Sequence, residues 1–264
     1  MTVWQPVSAC GPACRTGGED AVGAIRTALR MVTLCAVLLL GLLLVPVLRG
    51  LAVRPLARAL LASLGVRLRW RGPAPRPGSL LVANHVSWLD IVALQALEPA
   101  RLVAKREVRG WPGIGTLAAV TGAIFVDRAR PKALPGTVRE IAAALRAGRS
   151  VAVFPEGTTF CGTSCDASVA RTSARFRPAV FQAAVDAGAP IVPIAISYCS
   201  TAAAFIGDDS LWSSVVRVAR LRDLTVTLVG APALHPEPGA SRRALARAAQ
   251  ASVGLTPAAL GLAA

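Results

Sequence analysis

Residues 31–48 read MVTLCAVLLLGLLLVPVL, a stretch without a single charge. No other feature restricts the chain as much, because such a segment must end in lipid or deep in a protein core. As a helix its 18 residues reach about 27 Å, the span of a bilayer's hydrocarbon region. The run is too long for the apolar part of a signal peptide, and no small-residue cleavage pattern follows it directly. Pro46 predicts a kink near its end.

Arginines crowd the C-terminal side of this run. Arg49, Arg54 and Arg58 alternate with apolar residues at roughly helical spacing in RGLAVRPLARALLASLGVRLRWRG. That pattern predicts an interfacial helix, with guanidinium groups at headgroup level and leucines below them. Basic residues are denser after the apolar run than before it, so the positive-inside rule places the following domain on the cytoplasmic side of the cell membrane. Residues 1–30, polar and without periodicity, are expected to form a flexible N-terminal tail. Residues 31–70 then form a membrane anchor.

The Pro/Gly stretch GPAPRPG at 72–78 reads as a linker and marks a boundary. Beyond it short apolar runs alternate with helical patterns. Strands are expected at 80–83, 102–104, 124–126, 151–154, 191–197 and 224–229, and helices at 87–97, 137–147, 179–187 and 241–254. That alternation predicts an α/β fold with a mostly parallel or mixed central sheet flanked by helices. The catalytic domain is assigned to 71–232 and a C-terminal helical tail to 233–264.

The net charge of +15 suits anionic lipid surfaces, phosphorylated substrates or nucleic acid. Only Lys105 and Lys132 are lysines, and such an arginine-rich, lysine-poor usage also follows from nucleotide bias. Nucleic acid is disfavoured, because no basic run is interleaved with aromatics and no recognition motif is present. Six cysteines include two C-x3-C pairs, Cys10/Cys14 and Cys161/Cys165. The pairs are far apart in sequence and one precedes the apolar run, so no metal site is expected and reduced thiols are the default.

Four stretches carry chemistry. In LLVANHVSWLDIVAL an apolar strand stops at Asn84-His85, and Asp90 follows. On one helix His85 and Asp90 would stand roughly 140° apart, so they meet only if the chain turns between them. A strand ending at Ala83 and a helix capped by Ser87 supply that turn. The carboxylate then holds one imidazole nitrogen and leaves the other as a general base. The alternative is a helix-capping histidine beside an acid favoured by the helix dipole. In GAIFVDRARP a strand ends at Asp127-Arg128. The arginine suits a phosphate, or forms a surface ion pair with its neighbour. In VAVFPEGTT a strand runs into Pro155-Glu156-Gly157, a turn expected to expose backbone N–H groups and to project Glu156 at the sheet edge. In APIVPIAI a buried strand carries Pro193 near its start.

In this order the four stretches resemble the glycerolipid acyltransferase family that contains the lysophosphatidic acid acyltransferases. Its first motif, N-H-x-S-x-x-D, is matched by Asn84, His85, Ser87 and Asp90. Its G-x-I-F-V-D-R is residues 122–128, its F-P-E-G-T residues 154–158 and its V-P-I-A residues 192–195. The resemblance implies a glycerol-3-phosphate acyltransferase-like fold. It also implies acyl transfer from acyl-CoA or acyl-carrier protein to a lysophospholipid hydroxyl at the membrane lipid surface. His85 is the implied base and Asp90 the residue that orients it. Arg128, with Lys105 and Arg177, is assigned to the acceptor phosphate. Glu156, Gly157 and Thr158 are assigned to acceptor or oxyanion binding, and Asn84, Ser87 and Pro193 to support of the motifs. No cofactor, metal or covalent acyl-enzyme is implied.

The chain departs from the family after the third motif. Thr159 stands where an arginine is common, and Phe176-Arg177-Pro178-Ala179 replaces F-K-x-G. Residues 161–175 form an insert expected to be a surface loop. The first-choice acceptor is 1-acyl-sn-glycerol 3-phosphate, giving phosphatidic acid. Thr159 keeps a lyso-ornithine lipid in play, and a non-catalytic membrane scaffold is the third reading.

Overall fold

Leu80–Ala83 (β2) has no polar residue on either face and is buried on both, because it runs through the middle of a seven-stranded sheet. A strand covered by helices on both sides has no solvent face to mark. The computed structural model describes residues 8, 10–15, 20–48, 50–161 and 175–254. From one edge the strands are β1 (Arg67–Arg71), β7 (Thr225–Gly230), β6 (Ile191–Tyr198), β2, β5 (Val151–Val153), β3 (Arg101–Lys105) and β4 (Ile124–Val126). The five strands from β6 to β4 are parallel, β7 is antiparallel to β6, and β1 follows β7.

Helices cover both faces. Leu81 and Ala83 of β2 join one core with α1 (Ala24–Leu48), α2 (Gly50–Ser63), α3 (Leu89–Leu97) and α7 (Leu211–Arg220). Leu80 and Val82 join the other, with α5 (Leu134–Arg146), α6 (Ala179–Ala187) and α8 (Arg242–Gly254). The period-2 alternation of side chains along β2 thus feeds both cores. Local signals set the helix ends. Ser210 accepts the N–H of Ser213 at 3.1 Å to start α7, and Gly188 takes the left-handed conformation (φ 60°) that ends α6. The remaining helix, α4 (Ile114–Val120), lies against α1.

The anchor differs from expectation. The apolar helix starts at Ala24, seven residues before the uncharged run, and continues through Pro46. Its Arg30 is buried and donates to Ala219 O and Leu221 O at 2.9 and 2.8 Å. Gly41 meets Leu56 of α2, where an added Cβ would collide with that leucine. One stripe of the helix is therefore built into the domain. The opposite stripe is bare, with Leu43 and Val47 exposed by 71% and 77%.

Three further boundaries shift. The sheet begins before the Pro/Gly linker, since Arg67–Arg71 pairs with β7. The C-terminal helix is part of the fold, with Ala246 and Ala249 in the second core. The expected tail contributes structure too: Val22 N–H bonds Arg220 O at 2.8 Å, and Cys10 is buried. Most of the 161–175 insert lies outside the described residues, but Cys161 at its start is buried rather than on a surface loop.

Candidate active site

The chain leaves β2 through Asn84. Its side-chain Nδ2 donates to Ile196 O at 2.9 Å, and Ile196 N–H donates to its Oδ1 at 2.7 Å. Asn84 thus makes a two-point clamp on β6. His85 follows, and the chain turns into α3 as the sequence required.

Asp90 sits in the first turn of α3 with 0% exposure. Its Oδ2 lies 2.8 Å from His85 Nδ1 and accepts the N–H groups of Val86 and Ser87 at 2.7 and 2.9 Å. Its Oδ1 accepts the Tyr198 hydroxyl from the end of β6. Ser87 is buried, and its hydroxyl accepts only a long 3.5 Å hydrogen bond from Leu89 N–H. The N-cap position is Trp88, which makes no side-chain cap, and the Asp90 carboxylate collects the N–H groups of the turn instead. A carboxylate with this many donors is held in one orientation. The His85 ring also lies on Phe154, with centroids 4.0 Å apart and 15° between planes. Two contacts of different kinds thereby set the ring and leave Nε2 as the nitrogen for chemistry.

Motif three lies beside motif one because β5 and β2 are parallel neighbours and both chains leave the sheet at the same end. Glu156 does not project at the edge as expected. It is 2% exposed, and its Oε2 accepts the His85 N–H at 2.9 Å. Burial pushes its carboxyl up to about 8, with the His85 N–H opposing and the Asp90 charge adding to the rise. Gly157, at φ +79°, closes a turn and spends its N–H on Phe154 O at 3.0 Å. Thr158 makes no hydrogen bond to the described residues. Pro193 is buried in β6 opposite Val82 of β2.

The expected cations converge, though by another route. Arg128 follows β4, two strands beyond β5, so it does not adjoin the His85 loop through neighbouring strands. Its side chain reaches across to donate to Gly157 O at 2.5 Å. Asp127 pairs with Arg106 and Arg130 at 2.9 and 3.6 Å and not with its neighbour Arg128. Burial, then the nearby Arg177, holds the Arg128 guanidinium below its ordinary value. Lys105, at the end of β3, is lowered by burial and then by Arg128. Arg177 N–H bonds Pro155 O at 3.0 Å. Arg128 thus meets the charge of Arg177 on one side and that of Lys105 on the other, and Glu107 offsets part of both effects.

Tyr198 is the residue that motif reading missed. Burial, and then the charge of Asp90, holds its phenol well above the ordinary value. A signal existed, since it is the single tyrosine of the chain and stands at the end of the motif-four strand.

Residues 67–197 match the family model described as Acyltransferase. The 1-acyl-sn-glycerol-3-phosphate acyltransferase of Neisseria meningitidis is 34% identical over 67% of this chain and 69% of its own. The lyso-ornithine lipid O-acyltransferase of Pseudomonas aeruginosa is 40% identical over 74% of each. The crystal structure of the 1-acyl-sn-glycerophosphate acyltransferase of Thermotoga maritima superposes with a TM-score of 0.55 at 19% identity, over 85% of this chain and 94% of that one, and so shares the fold. With its first three motifs at the C-terminal ends of the parallel strands β2, β4 and β5 and the fourth inside β6, this chain is an acyltransferase and belongs to the glycerolipid acyltransferase family.

Proposed function

We propose that the protein transfers a fatty acyl group from acyl-CoA or acyl-carrier protein to the free hydroxyl of 1-acyl-sn-glycerol 3-phosphate, giving phosphatidic acid. The observation that carries this reading is the His85–Asp90 contact at 2.8 Å beside the cations Lys105, Arg128 and Arg177. His85 Nε2 takes the proton of the acceptor hydroxyl as its oxygen bonds to the thioester carbonyl carbon. The carbon–sulfur bond then breaks, and the imidazolium returns the proton to the leaving thiolate. The products are an ester and a free thiol, and no covalent acyl-enzyme or cofactor enters the scheme. Of the motif-three groups, the side chain of Glu156 and the N–H of Gly157 are engaged inside the protein. The Thr158 N–H is the group we assign to the developing oxyanion. The bare stripe of α1 and the arginines of α2 support a site of action at the membrane. We place the catalytic domain on the cytoplasmic side, from the charge asymmetry around the apolar run.

A lyso-ornithine lipid acceptor is the second reading. The 40% identity to the Pseudomonas enzyme favours it, as does Thr159, whose hydroxyl is turned inward to Phe205 O where an arginine is common in the family. Purified protein with one acyl-CoA and a panel of lysolipid acceptors separates the two. Phosphatidic acid formation with inactivity toward lyso-ornithine lipid is expected, and the reverse preference would overturn the first reading.

A further inference from the structure

We propose that Cys10, Cys14 and Cys161 hold a thiophilic divalent cation, zinc, that fastens the N-terminal segment to the back of the His85 loop. The sequence keeps these residues far apart. The fold brings their sulfur atoms within 4.8 Å of one another. A 3-10 turn over Pro12–Cys14, closed by Cys14 N–H to Gly11 O at 2.9 Å, folds the chain back on itself. It lets both sulfurs of the C-x3-C pair face Cys161.

Three features favour a metal over a cystine. A disulfide joins two sulfurs, and among the described residues three converge. The donor set is all sulfur, which selects zinc over magnesium or calcium. The Cys161 N–H points at Cys10 Sγ at 3.3 Å, a hydrogen bond of the kind that supports a ligating thiolate. Cys10 and Cys161 are exposed by 7% and 5% and pack with Val86, Ala204 and Ile206. In such surroundings uncompensated thiolates would be costly, and a divalent ion removes that cost. In a tetrahedral site with bonds near 2.3 Å the sulfurs stand roughly 3.8 Å apart. The 3.0 Å between Cys10 and Cys161 then widens by about 0.8 Å on binding. The described residues supply three sulfur ligands, and a tetrahedral ion takes a fourth donor.

The neighbours indicate what the site would do. Phe160, next to Cys161, donates its N–H to His85 O at 2.8 Å, and Phe205 N–H donates to Val86 O at 2.9 Å. Val86 and Ile206 share the apolar cluster of the cysteines. Metal binding would therefore brace the loop that carries the base without touching substrate.

The test uses the untagged full chain, purified in detergent under reducing conditions. Elemental analysis is expected to find close to one zinc per chain. After chelation, added Co2+ is expected to produce thiolate-to-cobalt charge-transfer absorption and to raise the melting temperature. Cys10→Ser, Cys14→Ser and Cys161→Ser should each weaken Co2+ binding by at least tenfold, whereas His85→Ala should keep the metal while losing activity. That last arm separates this proposal from the catalytic one. A reduced wild-type protein that takes up neither zinc nor Co2+ overturns the proposal, whether or not the serine variants fold. So does a metal-free active enzyme with a Cys10–Cys161 disulfide, or Co2+ binding that survives all three substitutions.

Discussion

The hydroxyl of Tyr198 donates to Oδ1 of Asp90, while the other carboxylate oxygen holds His85 Nδ1. The orienting acid is thus itself oriented, by a residue contributed from the end of β6. Tyr198→Phe removes that donor and leaves a buried carboxylate oxygen short of a partner. A hydrogen bond to a charged group is worth about 1.5–3 kcal/mol. We expect kcat to fall by roughly tenfold or more, with the acceptor KM little changed and the low-pH limb of the rate profile displaced. Equal changes in KM and kcat with an unmoved pH profile would mark Tyr198 as packing alone.

His85→Ala should abolish turnover with the fold intact, since loss of a general base costs about 10²–10⁴-fold. Asp90→Asn should be as inactive and also less stable. Its amide would face either the Val86 and Ser87 N–H groups, which need an acceptor, or the Tyr198 hydroxyl, which would have to give up donating. Steady-state kinetics with a thermal melt of each variant checks both outcomes. A His85→Ala enzyme near the wild-type rate would overturn the mechanism.

Glu156 predicts a pH effect with a definite sign. Its carboxyl is raised from 4.5 to about 8 in the folded protein, so the folded state holds this proton more tightly than the unfolded one. The resulting stability is complete below 4.5 and is lost as pH rises through about 8. Glu156→Gln keeps an oxygen for the His85 N–H but cannot ionise. Melts between pH 5 and 9 should decline less steeply for this variant than for wild type. Superimposable slopes would show that Glu156 is ionised throughout.

Arg128 should read the acceptor's negative charge. Arg128→Lys is expected to raise the KM for 1-acyl-sn-glycerol 3-phosphate, and Arg128→Ala to raise it further, by roughly tenfold or more. The acyl-CoA KM should hardly move. Equal losses for donor and acceptor would instead assign the residue to holding the Gly157 turn.

Membrane attachment should follow the bare stripe of α1. Deleting the first 65 residues would also remove Leu34, Ala57 and Leu61 from the core, so the informative change is Leu43→Glu with Val47→Glu. The double variant should fold and shift from the membrane to the soluble fraction. Unchanged pelleting would show that another surface anchors the protein.

Individual elements show what could be read in advance. The strand at 124–126 and the helix at 179–187 fall where expected, because buried apolar runs bounded by turn residues leave few alternatives. The strand Arg67–Arg71 was missed although R-L-R-W-R alternates with the period of a strand. It falls almost wholly within the expected membrane anchor, and it forms one edge of the sheet. The His85–Asp90 turn was legible because helix geometry forbids the contact otherwise. The burial of Glu156 was not, since nothing local states that a neighbouring strand's loop will close over it. Nor was the approach of Cys10 to Cys161, which stand 151 positions apart in the sequence.

Asn84 has a consequence for how the motif can vary. A carboxamide presents one donor and one acceptor in the same plane, as a peptide group does. By bonding both backbone groups of Ile196 it serves as a side-chain rung that continues the β2–β6 ladder one step past the end of β2. The backbone at that point is released from pairing and can turn to deliver His85. Aspartate, of the same shape, would present two acceptors to a partner that needs one of each. The asparagine before the histidine is accordingly a substitute for main chain in the sheet pairing.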